Sequence, residues 1–286
     1  MSLVIDMHVH PMLYKPTIQS EEELNFRKEQ FGLDLMSPVS LDLVKQLQDF
    51  SGIDVNVLLP LDLTTTTGGC IVTNEEIAAV TAMMPDRLIG FASVDPHRPD
   101  AKEVLEHAFG ELGLKGLKLN PAKQKFDPNE ACMDEIYKTC IAYNKPIIFH
   151  SGMSWEPNTL MEAGRPVIFE PIAIKYPELR ICLAHFGWPW IQETAALVLK
   201  YPNVYTDTSL LYMDSPKIFM KEVLTEQLGH LWIENNFADR VMFGSNNPRF
   251  RAGRMKEGIE ELPWRTITKE KVLGKNALRF LGMEEA

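Results

Sequence analysis

The sequence predicts an α/β chain built as one (β/α)8 barrel. Three observations predict it. Short apolar runs alternate with helix-period stretches eight times along the chain. Several of those runs stop at proline or histidine rather than at a hairpin turn. No Gly-x-Gly-x-x-Gly turn follows the first run, as a doubly wound open sheet would ordinarily require. Strict alternation demands parallel strands, and eight such units close on themselves. There is no internal repeat beyond the βα unit and no linker, so residues 1–286 are expected to form a single domain, with 12–36 as an insertion at the barrel mouth.

The elements follow in order. Leu3 to His10 is a strand that ends in two histidines and is stopped by Pro11. Ser20 with the three glutamates after it reads as a capped helix start inside the loosely patterned 12–36 stretch. Ser37-Pro38 opens a helix to Phe50, with Leu41, Val44, Leu47 and Phe50 at helical spacing. Ile53 to Leu59 is the second strand. A Thr-Gly loop, Thr64 to Gly69, leads to a helix from Asn74 to Met84. Leu88 to Val94 is the third strand, and Pro99-Asp100 starts the next helix. Leu114 to Asn120 is the fourth strand, followed by a helix from Asn129 to Tyr143. Pro146 to His150 and Arg180 to His185 are the fifth and sixth, each ending in histidine. A long loop and the helix Pro166 to Tyr176 lie between them. Pro189 to Tyr201 is helical, Asn203 to Asp207 is the seventh strand, and Pro216 to Asn236 is helical with a break near Gly229. Arg240 to Ser245 is the eighth strand. Thr268 caps a last helix through Phe280, with Gly282 past its end.

Composition narrows the function classes. The 286 residues are 45% hydrophobic, enough for a full core, and the formal net charge is −10. That acidity argues against nucleic acid or an anionic membrane as the main partner. No apolar run approaches the roughly 20 residues that span a bilayer, and no basic-then-apolar leader opens the chain. The four cysteines, Cys70, Cys132, Cys140 and Cys182, show no CxxC spacing and read as reduced thiols of a cytoplasmic protein. Cys132 and Cys140 share one predicted helix, and neither they nor Cys182 suggest a zinc knuckle.

The chemistry gathers at the predicted strand ends, where barrel active sites lie. His8 and His10, two apart on a strand, leave one face together and can chelate one cation. Strand four ends with Lys118 and Asn120, strand five with His150, strand six with His185, and strand seven with Asp207. Strand eight ends with Ser245, Asn246 and Asn247. Four of the seven histidines thus sit around one rim. His97, His107 and His230 lie elsewhere and read as surface or capping residues.

Asp6-Met7-His8-Val9-His10, Ile148-Phe149-His150-Ser151-Gly152, Leu183-Ala184-His185-Phe186-Gly187 and Val241-Met242-Phe243-Gly244-Ser245-Asn246 together resemble the amidohydrolase superfamily. The likeness is greatest to the amidohydrolase-related branch of aminocarboxymuconate semialdehyde decarboxylase, aromatic-acid decarboxylases and some lactonases. It extends to Val272-Leu273-Gly274-Lys275-Asn276-Ala277 near the end. The resemblance implies a distorted TIM barrel with one divalent metal, commonly zinc, on His8, His10 and His150. It implies that His185 polarises substrate or moves a proton. The family's strand-eight residue is aspartate, a ligand or base, and here it is Asn246. An amide oxygen ligates weakly and cannot act as a base near neutral pH. Either the aspartate has been replaced, or the enzyme works with His185 and the metal alone, or the chain keeps binding without turnover. Asp207 reads as a substitute acid or as a group that orients a histidine.

Lys118 is expected to contact a substrate carboxylate, to close a salt bridge, or, once carboxylated, to bridge two metals. Arg249 and Arg251 offer bidentate contacts to an anion or pair with surface acids. Trp155, Trp188 and Trp190 would wall the site or pack loops. The leading functional expectation is a metal-dependent hydrolase of a small, anionic ester, lactone or amide. The alternatives are a non-oxidative decarboxylase of an aromatic or unsaturated acid, and an impaired binder of metal or ligand. The expected partner is a small molecule, with no nucleic acid or membrane; apolar helix faces leave a homodimer open.

Overall fold

The computed structural model describes residues 3–156, 158–209 and 215–283. The outermost residues of the expected 1–286 span therefore lie outside the described residues. The barrel strands are β1 (Ile5–Val9), β2 (Val55–Leu58), β3 (Leu88–Gly90), β4 (Leu117–Leu119), β5 (Ile147–Phe149), β6 (Ile181–Leu183), β7 (Val204–Asp207) and β8 (Val241–Met242). All neighbours within the β1–β2–β3 and β4–β5–β6–β7–β8 groups pair in parallel. Two looser seams close the ring. The Ala92 amide donates to Gly116 O at 2.7 Å and Lys118 N to Ala92 O at 2.8 Å. On the other side, Met7 N donates to Phe243 O and Asn246 N to His8 O, both at 2.9 Å. The ring is therefore closed by backbone hydrogen bonds, though its strands are short and β1 carries a register shift between Asp6 and Val9.

Most apolar side chains bury between strands and helices. A smaller cluster joins Ile148, Cys182, Tyr205 and Met242 to Phe280 and Leu281 of the closing helix. Gly274 is needed there, because a Cβ would sit 1.7 Å from the Leu3 carbonyl oxygen. No helix among the described residues is long and apolar enough to cross a membrane.

Several local expectations are corrected. Ser37-Pro38 does not open a helix. Val39 bridges to Tyr14 instead, and the helix runs Leu41–Ser51 from the Ser40 cap. Of its apolar stripe only Val44 is buried, while Phe50 is 91% exposed. The Thr-Gly loop is the end of an antiparallel hairpin, Leu61–Leu63 with Gly69–Ile71, around a one-turn helix of threonines. Alternation over so few residues gave no strand signal. Thr268 is not a cap. Helical structure begins at Thr266 and continues to Leu281, where Gly282 ends it in the left-handed region. Cys132 precedes its helix, Met133–Ala142, and the described cysteines are all free thiols.

Ser20 Oγ caps helix Glu21–Phe31, and Phe31 at its far end reaches the barrel mouth. Arg27, fully buried, pairs with Glu23 of its own helix and pins that helix to the Thr17 carbonyl and to Glu76.

Candidate active site

A cavity opens at the C-terminal ends of the strands. Eight of the residues expected at the site line it: His8, His10, Lys118, His150, Trp155, His185, Asn246 and Arg249. Chain positions more than 200 apart meet because each parallel strand delivers its last residue to the same rim.

The hydrogen bonds assign each imidazole. His8 Nδ1–H donates to Asp207 Oδ2 at 2.9 Å, leaving a lone pair on Nε2, which is buried with no partner. His10 Nδ1–H donates to the Leu59 carbonyl at 3.1 Å and frees its Nε2 in the same way. His185 Nδ1–H donates to the Ser209 carbonyl, so its Nε2 accepts from His150 Nδ1–H at 3.1 Å. That leaves the buried Nε2 of His150 bare. The Nε2 atoms of His8 and His150 thus stand buried without partners among the described residues, that of His10 shares their cavity, and each ring is anchored through Nδ1. Such a donor set fits a divalent cation, and the anchoring is what metal-ligating histidines need.

Burial pushes His8, His10, His150 and His185 below the usual imidazole range, and neighbouring cations and imidazoles add to it. They are neutral, as ligands must be. His8, His185 and Asp207 also bring ligand-type atoms within 4.8 Å of one another. Asp207 is already committed, however. Besides His8, it accepts from the His185 amide at 2.9 Å and from Ser209 N at 3.0 Å. Of the two roles open to it, Asp207 takes the orienting one.

The backbone bends to build this rim. His185 and Phe186 have φ of 62° and 48°, and Asn246 has φ of 60°, all in the left-handed region. Non-glycine residues pay strain there, and such positions concentrate at functional sites. The Asp207–His185 amide bond holds the first bend, and the Asn246–His8 carbonyl bond holds the second.

Lys118 is 3% exposed, and its Nζ has no hydrogen-bond partner. Burial lowers its pKa to about 8, against the pull of Asp207. Of the roles open to Lys118, the salt bridge is not made among the described residues. Arg249 Nη2 donates to the Phe31 carbonyl at 2.7 Å, and its guanidinium lies over Trp155, 5.3 Å from the ring centroid. Trp188 does not line this cavity but packs toward Phe219; Trp190 and Arg251 also stay outside it.

Phe31, Leu61, Asn120, Lys123, Ser154 and Glu156 complete the wall. Of these, strand-end reasoning had singled out only Asn120. Lys123 donates to the Gln30 carbonyl at 2.6 Å and pairs with Glu156. Burial pushes the Glu156 carboxyl up, but Lys123 and Ser154 outweigh it and hold it below the usual range. Lys123 and Glu156 sit in βα loops next to predicted strand-end residues, the one signal that could have found them. Ser209 lies two residues past Asp207 and had none.

The amidohydrolase family model matches residues 5–283. A curated relative, the 2-amino-3-carboxymuconate-6-semialdehyde decarboxylase of Dictyostelium discoideum, is 23% identical over 74% of this chain and 66% of its own length. The chain spans less than two thirds of the length of the curated relatives it matches. An uncharacterised TIM-barrel protein, Bb4693 of Bordetella bronchiseptica, superposes with TM-score 0.77 at 21% identity over 98% of both chains. A dihydroxybenzoic acid decarboxylase from Polaromonas sp. JS666, with bound manganese and the inhibitor 2-nitroresorcinol, gives TM-score 0.70 at 19% identity over 100% of this chain and 98% of that one. The ring of parallel strands, the strand-end histidines and the end-to-end family match lead to one conclusion: the chain belongs to the amidohydrolase family and is an enzyme of the TIM-barrel type.

Proposed function

We propose that the chain is a metal-dependent carboxy-lyase acting on a small, planar aromatic or unsaturated carboxylic acid. The observation that carries this reading is the charge of the cavity wall. Lys118, Lys123 and Arg249 face a single acidic residue, Glu156, which Lys123 already pairs. Such a wall favours an anionic substrate. Relatives and structural neighbours that are decarboxylases support the same choice over hydrolysis. So does Asn246. Hydrolysis needs a base to deprotonate water, and a neutral amide cannot serve.

In this proposal His8, His10 and His150 hold one divalent ion, with the Asn246 amide oxygen as a weak neutral donor. Three imidazoles suit zinc, while manganese is the ion named with the Polaromonas enzyme. The bound ion would supply Lewis acidity, orienting the carboxylate and drawing off its charge. Lys118 pairs with an anionic group of the substrate from below. Arg249 binds a second polar group from the mouth, and Trp155 covers the ring. His185, held by the Ser209 carbonyl at Nδ1, first takes a solvent proton at Nε2, giving up its bond from His150 Nδ1, and then passes that proton to the carbon that bears the carboxylate. The substrate's negative charge favours the imidazolium that burial disfavours. A C–H bond forms, the C–C bond breaks, and its electron pair returns to the ring or alkene as CO2 leaves. The site of action in the cell is proposed to be the cytoplasm, and the assembly a homodimer.

The test is a metal analysis of protein purified without chelator, followed by assay of the zinc and manganese forms on hydroxybenzoates and unsaturated dicarboxylates. CO2 release is expected. Ester or lactone hydrolysis without CO2 release would overturn the proposal. Asn246→Asp is expected to weaken binding of the anionic substrate and to add hydrolytic turnover.

A further inference from the structure

We propose a second metal site, outside the cavity, where His97, Glu130 and Cys132 take up a thiophilic divalent cation such as zinc. His97 follows β3, and Glu130 and Cys132 lie in the loop before helix Met133–Ala142. His97 Nε2 lies 2.9 Å from Glu130 Oε1, and Cys132 Sγ lies 3.4 Å from the same oxygen. All three ligand atoms fall within 4.8 Å of one another. Zinc bonded to sulfur, nitrogen and oxygen at its usual lengths needs its ligands roughly 3.3–3.8 Å apart, so small side-chain shifts suffice. One sulfur, one nitrogen and one oxygen form a borderline-soft set that calcium and magnesium disfavour. The three residues lie at the surface, so a fourth position is open to water.

The local charge supports a cation. The Cys132 thiol donates to Glu130, and the Glu130 and Asp95 carboxylates place negative charge near its sulfur. The nearby Arg98 is occupied by Asp62 and Asp100. A proton sits where a metal would satisfy the same negative groups better: binding releases the thiol proton to solvent and forms a metal–sulfur bond.

The position gives the site a role. The two loops it joins are already tied by Gln124, whose Nε2 donates to Val94 O at 2.9 Å and to Asp62 O at 2.8 Å. The second of these loops also carries Asn120 and Lys123 to the cavity wall. An ion clipped across them would stiffen that wall from outside.

Metal-free protein titrated with Co²⁺ provides the test. The cavity site offers nitrogen and oxygen donors only, so a sulfur-to-cobalt charge-transfer band in the near ultraviolet reports the outer site. Two equivalents are expected, one accompanied by that band. Cys132→Ser should remove the band and one equivalent while leaving the other, and His97→Ala should weaken the same equivalent at least tenfold. Zinc should protect Cys132 from alkylation. A single equivalent without a sulfur band overturns the proposal, as does a band that survives Cys132→Ser, which would place it on another thiol. Matching metal-free melting curves for the variants and the parent exclude misfolding as the cause.

Discussion

Asp207→Asn should cripple the cavity's hold on metal without touching a proposed ligand. The carboxylate accepts from four directions: His8 Nδ1, His185 N, Ser209 N and Ser209 Oγ. An amide has one oxygen and one NH2 group to replace them. If the NH2 faces His8, two donors collide, and the imidazole must move its proton to Nε2. The lone pair aimed into the cavity is then lost. If the NH2 faces the other way, it meets the amides of His185 and Ser209, and buried donors go unpaired at about 1–3 kcal/mol each. Loss of an outer partner of a ligating histidine typically costs 10–100-fold in metal affinity, or about 1.4–2.7 kcal/mol. Competition against a chromogenic chelator measures this directly, with circular dichroism confirming the fold. An affinity within threefold of the parent would refute the assignment of Asp207 as the group that sets the His8 tautomer.

Three further outcomes are expected. Gly32 has φ of 60°, and a Cβ there would lie 2.3 Å from the Trp155 ring. Gly32→Ala should cost about 1–2 kcal/mol of strain and displace Trp155, raising KM more than it lowers kcat and shifting tryptophan fluorescence. Arg27→Met leaves Glu23 and Glu76 without their buried partner. It should destabilise the fold by about 3 kcal/mol in urea titration, the low end for a broken buried pair, because both glutamates keep some water. Burial and then Asp62 push the Cys70 thiol up to about 12, so iodoacetamide at pH 8 should spare it and Asp62→Asn should speed its labelling. Because the folded thiol ionises above its unfolded value, the stability this confers is present below about pH 8.5 and is lost as pH rises toward 12.

The amino-acid order alone determines the barrel and the residues that ring its mouth. Apolar runs ending in histidine, lysine or asparagine carry their own boundary signal, and parallel strands all end at one face. His8, His10, His150 and His185 were therefore legible as a group before any contact was known. The loop-borne wall was less so. Trp155 and Arg249 were visible only as neighbours of strand ends, and Phe31, Lys123 and Glu156 were not singled out. Loops carry no periodicity, and their side chains are placed by contacts made across the chain.

Tertiary structure alone decided the protonation pattern and the outer cluster. Which nitrogen of His150 is bare depends on His185, and His185 depends on a carbonyl at Ser209. Asp207 became an orienting group because four donors converge on it. His97, which the sequence left as a surface residue, lies beside Glu130 and Cys132 only because β3 and β4 are neighbours in the ring. A hydrogen bond between distant residues leaves no trace in local spacing, so these assignments had to wait for the fold.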